Sequence, residues 1–315
     1  MKYLVTGGAG FIGFHTAKRL LDEGKEVVVI DNFNPYYDPK LKRDRAALLK
    51  GAKIYEYDIS DFQKVNEVFK AEKFDKVIHL AACAGVRYSM ENPWEFIKSN
   101  ILGTLNIFEA CKQNNVKDVV YASSSSVYGG ATKLPSSESD NVDFPISVYA
   151  ETKRDNELLA WTYHKMFGLN LTGLRFFTVY GPYGRPDMAA WLFADAIRNK
   201  KPLNIFNYGK QKRDFTYVAD IVDGILKASD KAYGYDVFNL GNDNPTPLMR
   251  FVELVEENMG AKGEHNMMPR ALGDVDETRA DLAKVKKMLG WQPKVEIEEG
   301  MKNFITWFKE YKGVK

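Results

Sequence analysis

Short apolar runs alternate with amphipathic runs over the first half of the chain. Apolar residues recur with helical spacing near 11–23, 61–70, 93–114 and 149–167. Between these helices lie six runs with the composition of buried strands: KYLVTG, EVVVID, KIYEYD, KVIHLAA, DVVYASS and LTGLRFF. Such alternation is typical of an α/β protein with a doubly wound parallel sheet and right-handed crossovers. We therefore predict a Rossmann-type fold whose ligands bind beyond the carboxyl ends of the strands.

The alternation becomes irregular after about residue 176, where prolines interrupt the chain repeatedly. We interpret this part as a smaller, mixed α/β C-terminal substrate domain. The run DVFNLG (236–241) has strand character again and is expected to return to the main sheet. The predicted dinucleotide-binding domain therefore comprises 1–175 and roughly 214–241, and the interleaved substrate domain comprises 176–213 and 242–315.

A glycine-rich turn, TGGAGFIG, connects the first strand to the first helix. Gly7 permits a tight turn, Gly10 lets backbone N–H groups approach a phosphate, and Gly13 lets the helix pack closely on the strand. The second strand ends in Asp31, whose carboxylate can accept hydrogen bonds from ribose hydroxyls and repels a 2′-phosphate. A glycine-rich turn by itself has an alternative interpretation, which is a tight turn that binds no ligand. Both strands, the helix and the acid are present in order, which favours a dinucleotide cofactor, NAD rather than NADP.

The other residues expected to bind the cofactor lie in this turn or close to the predicted strand ends and the helices that follow them. They are Phe11, Ile12, Asn32, Asp58, Ile59, Leu80, Ala81, Ala82, Asn100, Ser123, Tyr149, Lys153, Phe176 and Val179.

Tyr149 and Lys153 are the candidate catalytic pair, because helical spacing places both on one face. An ammonium near a phenol favours the phenolate, so we expect the pKa of Tyr149 to lie below its usual value of about 10. The same spacing occurs three more times, but Pro39 or Gly209 interrupts two cases and the third ends the chain. The alternative is a surface tyrosine beside a surface lysine.

Four serines, 123–126, end the strand before this helix, and one of them could relay a proton to Tyr149. Alternating side-chain directions allow only some of the four to face the cleft. The alternative for each serine is a hydrogen bond to the backbone of a turn.

Composition narrows the classes of function. The chain has 315 residues and a net charge of +2, which favours neither nucleic acid nor an anionic membrane. No apolar run approaches the roughly 20 residues of a membrane span. The N-terminus is predicted to be a strand rather than a signal peptide. Cys83 and Cys111 suit a reducing cytoplasm, and the four histidines lack metal-ligand spacing. We interpret the basic run 40–45 as a solvated face.

The motifs TGGAGFIG, HLAA, SSSSVYG and Tyr149-x-x-x-Lys153 resemble the extended short-chain dehydrogenase/reductase family over essentially the whole chain. Four further segments are more similar to UDP-glucuronate 4-epimerases than to UDP-glucose 4-epimerases: DNFNPYYDPKLKRDR, AGVRYSMENP, RFFTVYGPYGRPDMA and YGKQKRDFTYVADI. The resemblance implies a UDP-sugar substrate, tightly held NAD, inversion at carbon 4 through a 4-keto intermediate, and a homodimer paired through helices 93–114 and 149–167. A UDP-glucose 4-epimerase, a UDP-glucuronate decarboxylase and a non-catalytic NAD-binding protein remain alternatives.

The resemblance also assigns residues. Ser124 matches the catalytic serine, with Ser126 as the other candidate. A hexuronate carries a charge at carbon 6, for which Arg185 is our first candidate and Arg87 our second, with a salt bridge across the cleft as the alternative for each. Ala271 stands where the family often has a second arginine for the diphosphate. The expected substrate-binding residues are Arg87, Thr178 and Arg185 for the sugar acid, Ser124 and Tyr149 for the reacting hydroxyl, Phe206 along the uracil, Arg213 for the diphosphate, and Asp274 for the uridine ribose. Gln211 is a further expected substrate-binding residue.

Overall fold

The computed structural model describes residues 1–130, 133–271 and 273–314. Its strands are β1 (Lys2–Thr6), β2 (Glu26–Ile30), β3 (Lys53–Tyr55), β4 (Lys76–His79), β5 (Asp118–Ser124), β6 (Asn170–Phe176), β7 (Thr178–Tyr180), β8 (Leu203–Ile205), β9 (Lys212–Arg213), β10 (Phe215–Tyr217), β11 (Tyr235–Leu240), β12 (Thr246–Pro247) and β13 (His265–Met267). Its α-helices are α1 (Phe11–Asp22), α2 (Pro39–Leu48), α3 (Phe62–Glu72), α4 (Val86–Glu91), α5 (Pro93–Phe96), α6 (Gly103–Gln113), α7 (Val148–Phe167), α8 (Ala189–Arg198), α9 (Val218–Asp230), α10 (Leu248–Met259), α11 (Ala283–Leu289) and α12 (Ile297–Lys312).

Seven parallel strands form the central sheet in the order β3-β2-β1-β4-β5-β6-β11. In the middle of the sheet, Leu4 pairs with Val28 on one side and Val77 on the other. The strand order reverses between β1 and β4, and such a switch point opens a crevice at the carboxyl ends of the strands. The predicted doubly wound sheet is confirmed, and β11 brings the late DVFNLG segment back to it.

Helices cover both faces of the sheet, which explains why its strands are apolar on both sides. One core cluster contains Phe14 of α1 and Ile221 of α9, packed with Trp291. The cluster on the other face contains Phe69 of α3 and Phe108 of α6.

The smaller C-terminal part has a core of its own. Trp191 of α8, Phe251 of α10 and Phe308 of α12 belong to this third cluster. The rings of Phe215 and Phe251 stack with their centroids 4.0 Å apart. Three two-stranded ladders, β7–β10, β8–β13 and β9–β12, complete this mixed α/β part. The domain boundaries given above stay a prediction.

The segment predicted as one helix over 93–114 is more complex. A π-helical stretch, Ile97–Leu102, separates α5 from α6. It contains Asn100, a fully buried residue that bonds both the backbone N–H and the carbonyl oxygen of Cys83. Local widening of this kind occurs where a side chain needs a direction that regular α-helix does not give. Among the helices of the described ranges, none combines the length and hydropathy needed to cross a bilayer.

Candidate active site

One large cleft lies at the carboxyl ends of the strands, between the sheet and the C-terminal part. It brings together most of the residues singled out from the sequence. They are Gly7, Gly10, Phe11, Ile12, Gly13, Asp31, Asn32, Ile59, Leu80, Ala81, Ala82, Ser123, Ser124, Ser126, Tyr149, Lys153, Phe176, Thr178, Val179, Arg185, Arg213 and Asp274. Their individual roles stay predictions.

The glycine loop after β1 leaves no room for side chains. Gly7 has φ +69°, and a Cβ there would lie 2.8 Å from the Cα of Ala81. A Cβ on Gly10 or Gly13 would lie 2.9 Å or 2.1 Å from the carbonyl oxygen of Gly7. The helix α1 starts after Gly10, and no side chain in the described part of the chain caps it. Its free N–H groups and the bare backbone fit the pyrophosphate of a dinucleotide.

Asp31 ties this loop to the end of β2. Its Oδ2 accepts a hydrogen bond from the N–H of Ala9 at 3.0 Å, and its Oδ1 accepts one from Phe33 at 2.8 Å. A carboxylate has further acceptor sites on both oxygens, and Asp31 lines the cleft. The arrangement therefore fits a cofactor with ribose hydroxyls and no 2′-phosphate.

The serines of the β5 end point in different directions. The side chain of Ser124 lies near the phenol of Tyr149 and lowers its pKa, and Ser126 Oγ donates to Ser124 Oγ at 2.9 Å. Ser123 points away, and its Oγ donates to Glu157 at 2.6 Å. Ser124 is therefore the serine next to the phenol, and Ser126 contacts Ser124. The hydroxyl of Ser123 is bonded to Glu157, so its backbone is the part available to a cofactor.

The acidity of Tyr149 differs from the expectation. Burial raises its pKa, and the side chain of Ser124 and the charge of Arg185 oppose this effect. Lys153 Nζ donates to the carbonyl oxygen of Ala122 at 2.8 Å, and burial lowers the pKa of this lysine to about 8. The prediction that Lys153 lowers the pKa of Tyr149 below its usual value is wrong for this structure, because desolvation of the phenol is the largest effect.

Arg185 lies in the cleft, and its charge acts on Tyr149. Its Nε donates to Asp187 Oδ1 at 3.0 Å, and its Nη2 donates to the carbonyl oxygen of Ala84 at 3.2 Å. The hydroxyl of Tyr36 donates to Asp187 Oδ2 at 3.0 Å. Asp187 thus fixes the guanidinium plane from one edge. Arg185 thus pairs with Asp187 of its own segment, two residues further along, rather than across the cleft, and it also lines the cleft.

The residues predicted for the uridine diphosphate lie close to one another, partly in the cleft lining and partly beside it. Arg213 and Asp274 line it, and Gln211 accepts a hydrogen bond from Arg213. The guanidinium of Arg87 lies 4.1 Å from the ring centroid of Phe206 and 3.4 Å from Asp274. Arg87 therefore contacts this group through a salt bridge, which was the alternative for this residue, and its assignment to the sugar acid stays a prediction.

Some residues expected to touch a ligand do not line the cleft. Asp58 bonds the ammonium of Lys98 at 3.1 Å and the N–H of Ser60 at 2.9 Å. Asn100 lies behind the cleft wall, where it holds the loop after β4. Arg87, Phe206 and Gln211 lie outside the cleft lining and contact residues that belong to it or to each other.

The sequence reasoning missed two cations of α2. The expectation of a solvated face for the run 40–45 is wrong for Lys42 and Arg45, because they are only 8% and 0% exposed. Lys42 lines the cleft. The signal that could have found them is their spacing of three residues, with Leu41 beside them, on a helix that begins at Pro39.

The NAD dependent epimerase/dehydratase family matches residues 3–241, and the chain belongs to this family. A UDP-glucuronate 4-epimerase of Thermodesulfobacterium geofontis is 46% identical over 312 residues, which cover 98% of this chain and 96% of that protein. The structure of the UDP-glucuronic acid 4-epimerase from Bacillus cereus, in complex with UDP-glucuronic acid and NAD, matches with a TM-score of 0.92 and 33% identity over 99% of this chain and 100% of that one. A UDP-glucose 4-epimerase from Thermotoga maritima, with UDP-glucose, matches with a TM-score of 0.91 and 33% identity over 99% of both chains. These findings confirm the predicted family and its NAD cofactor.

Proposed function

We propose that this protein interconverts UDP-glucuronate and UDP-galacturonate by inverting carbon 4 of the sugar through a 4-keto intermediate. The observation that carries this proposal is the guanidinium of Arg185 in the same cleft as the hydroxyl of Tyr149. A hexuronate differs from a hexose by a carboxylate, and a guanidinium recognises carboxylates through paired donors. The activity named for the Thermodesulfobacterium relative supports the same substrate.

The proposed chemistry assigns the proton to Tyr149. Its phenolate takes the proton from the 4-hydroxyl and later returns it, and Ser124 bonds the same oxygen. NAD, when bound, supplies the oxidising equivalent at carbon 4 and takes it back, so that the net reaction is an isomerisation. Arg213 and Asp274 hold the UDP while the sugar turns over, which uses binding energy remote from the reacting carbon.

Arg185 and Thr178 have a second proposed task. A 4-keto uronic acid is a β-keto acid, which loses carbon dioxide when its carboxylate bond stands perpendicular to the ketone plane. Donors from Arg185 and Thr178 would hold the carboxylate away from that geometry. The variant Arg185→Ala should therefore release UDP-pentose from UDP-glucuronate. Normal epimerisation without pentose in that variant would contradict the assignment.

We also propose a homodimer paired through the segments near 93–114 and 149–167, the second of which lies in α7. Ten of the sixteen large apolar side chains that are exposed in the described part of the chain come from residues 90–102 and 144–167. An apolar surface concentrated in this way is typical of a contact with another protein surface. The free thiols Cys83 and Cys111 support a reducing compartment, and we propose the cytoplasm.

The experiment that tests the function is an incubation of the purified protein with UDP-glucuronate and no added NAD. Proton NMR should show UDP-galacturonate appearing until both sugars reach equilibrium. A UDP-pentose product would identify a decarboxylase, and turnover of UDP-glucose but not of the acid would identify a hexose epimerase. Protein that carries NAD but turns over none of these sugars would contradict all three activities.

A further inference from the structure

The helix α2 places two buried cations against the glycine loop. Arg45 is fully buried, and its Nη1 donates to the carbonyl oxygen of Ala9 at 3.1 Å. Its Nη2 donates to the carbonyl oxygens of Tyr183 and Gly184, the latter at 3.2 Å. Arg45 therefore joins the glycine loop to the turn after β7, and both of its terminal nitrogens donate to protein groups.

Lys42 lies on the same side of α2 as Arg45, but unlike Arg45 it lines the cleft. It is 8% exposed, and its Nζ donates to the carbonyl oxygen of Asn34 at 2.8 Å. The ammonium also lies 5.0 Å from the ring centroid of Tyr37. An ammonium has three N–H donors. One is used by Asn34, so the group retains donors for a ligand in the cleft.

The helix α2 places Lys42 beside the glycine loop, because Arg45, about one turn further along the same helix, bonds the carbonyl oxygen of Ala9 in that loop at 3.1 Å. Asp31 and Arg45, whose charges both act on Lys42, bond the N–H and the carbonyl oxygen of Ala9 in the glycine loop. Burial lowers the pKa of Lys42, and Asp31 opposes this effect. The carboxylate of Asp31 is already bonded to two backbone N–H groups. A desolvated cation in this position is stabilised by a further anion.

We propose that Lys42 binds the pyrophosphate of NAD, together with the free N–H groups at the start of α1. Lys42 is thus a binding residue for the cofactor, outside the proton chemistry of Tyr149. The inference rests on the proposed use of this cleft for NAD. The glycine loop itself offers only backbone N–H donors to the pyrophosphate. Lys42 adds a positive charge next to them.

The test compares Lys42→Met with Lys40→Met, a matched change on the same helix. Lys40 is exposed and pairs with Asp44, so its replacement should leave cofactor binding unchanged. NAD release from each holoenzyme is followed by gel filtration and quantified per chain. Lys42→Met should release NAD about thirtyfold faster or more, since removal of one partner of a buried charge pair acts mainly on dissociation. Lys42→Arg, which keeps the charge, should retain more NAD than Lys42→Met.

A second measurement separates the pyrophosphate from the rest of the cofactor. ADP and adenosine are each used to displace NAD from the holoenzymes, and the dissociation constant of each competitor is calculated with the NAD affinity measured for the same variant. Lys42→Met should raise the dissociation constant of ADP and leave that of adenosine unchanged. Lys42→Gln is the second neutral variant and has the same expectation, should the methionine variant not fold.

Two results would overturn the inference. The first is that the neutral Lys42 variants release NAD at the wild-type rate. If their KM for UDP-glucuronate is raised as well, the ammonium of Lys42 contacts the substrate instead of the cofactor. The second is equal weakening of ADP and adenosine binding, which would indicate a general distortion. If the wild-type protein binds no NAD, the proposed function is overturned together with this inference. That result differs from the other two, in which the wild-type protein carries NAD.

Discussion

Among single residues, Tyr149 depends most on its surroundings, because a general base must lose its proton near the working pH. Burial raises its pKa, and Arg185 opposes this effect with its charge. The phenolate is the active form, so kcat should rise with pH through the pKa of the bound enzyme. Replacing Arg185 by Met removes a positive charge, raises that pKa and should move the rising limb to higher pH. The pH profile of kcat at saturating UDP-glucuronate measures this, with the exposed Arg250→Met as the control.

If kcat rises at the same pH in Arg185→Met and in the wild type, the charge of Arg185 does not influence the pKa of Tyr149. A change in KM alone would mean that Arg185 contacts substrate without influencing the base.

The hydroxyl of Tyr149 can be tested separately from its ring. Tyr149→Phe keeps the ring and removes the acid–base group, so kcat should fall by a factor on the order of 10²–10⁴. NAD per chain should stay at the wild-type value. Tyr311→Phe is the control, because Tyr311 bonds Asp44 away from the cleft. Unchanged kcat in Tyr149→Phe would require another base.

Among the elements, α7 matters most for the site, because it carries Tyr149 and Lys153. Glu157, two turns further along, is fully buried and fixes this helix to two strands. Its carboxylate accepts from Ser123 of β5 at 2.6 Å and from Nε and Nη2 of Arg175 of β6, both at 2.8 Å. Glu157→Gln leaves the Arg175 cation buried without its counter-ion and should lower the free energy of unfolding by about 3 kcal/mol.

Urea unfolding measures that change. The matched control is Asp22→Asn, which breaks the exposed pair with Lys18 on α1 and should cost less than about 1 kcal/mol. Equal losses in the two variants would mean that the Glu157–Arg175 pair contributes no more than a surface pair.

The elements were predictable from the sequence wherever local spacing decides the structure. The apolar runs of the sheet and the glycine turn are signals of this kind, and the strands formed where they were expected. The burial of Arg45 is different, because its partners Tyr183 and Gly184 lie 138 and 139 residues further along the chain. The same holds for Ser123 and Ser124, neighbours whose directions are decided by Glu157 and Tyr149 on another element. Long-range contacts therefore account for what the sequence reasoning missed in the site.

For the whole molecule, one buried histidine and one half-buried histidine make stability depend on pH. His79 bonds Thr6 at 2.7 Å and Thr104 at 3.0 Å, and burial lowers its pKa to about 3. Burial also lowers the pKa of His15 to about 4. Both rings stay neutral in the folded chain, whereas unfolded histidines take up protons below a pH of about 6.5. Stability should therefore be full above that pH and be lost as the pH falls towards 3.

Urea unfolding at several pH values between about 7 and 5 tests this dependence. In His79→Gln one titrating group is gone, so the slope of the unfolding free energy against pH should be shallower by up to about 1.4 kcal/mol per pH unit. An unchanged slope would mean that His79 is not a source of the acid sensitivity.

The proposed dimer can be tested on the face of α7 that points away from the sheet. Leu158 and Trp161 are 49% and 47% exposed, and Trp94 on the neighbouring segment is 81% exposed. In a two-fold interface each substitution occurs twice, so one introduced charge becomes two that must be buried together. Leu158→Glu should therefore shift the protein from dimer to monomer in light scattering, whereas Met288→Glu, on the exposed side of α11, should leave it dimeric. A Leu158→Glu variant that remains dimeric would exclude pairing through α7. Because α7 also carries Tyr149, pairing through this helix would connect the assembly directly to the element that holds the base.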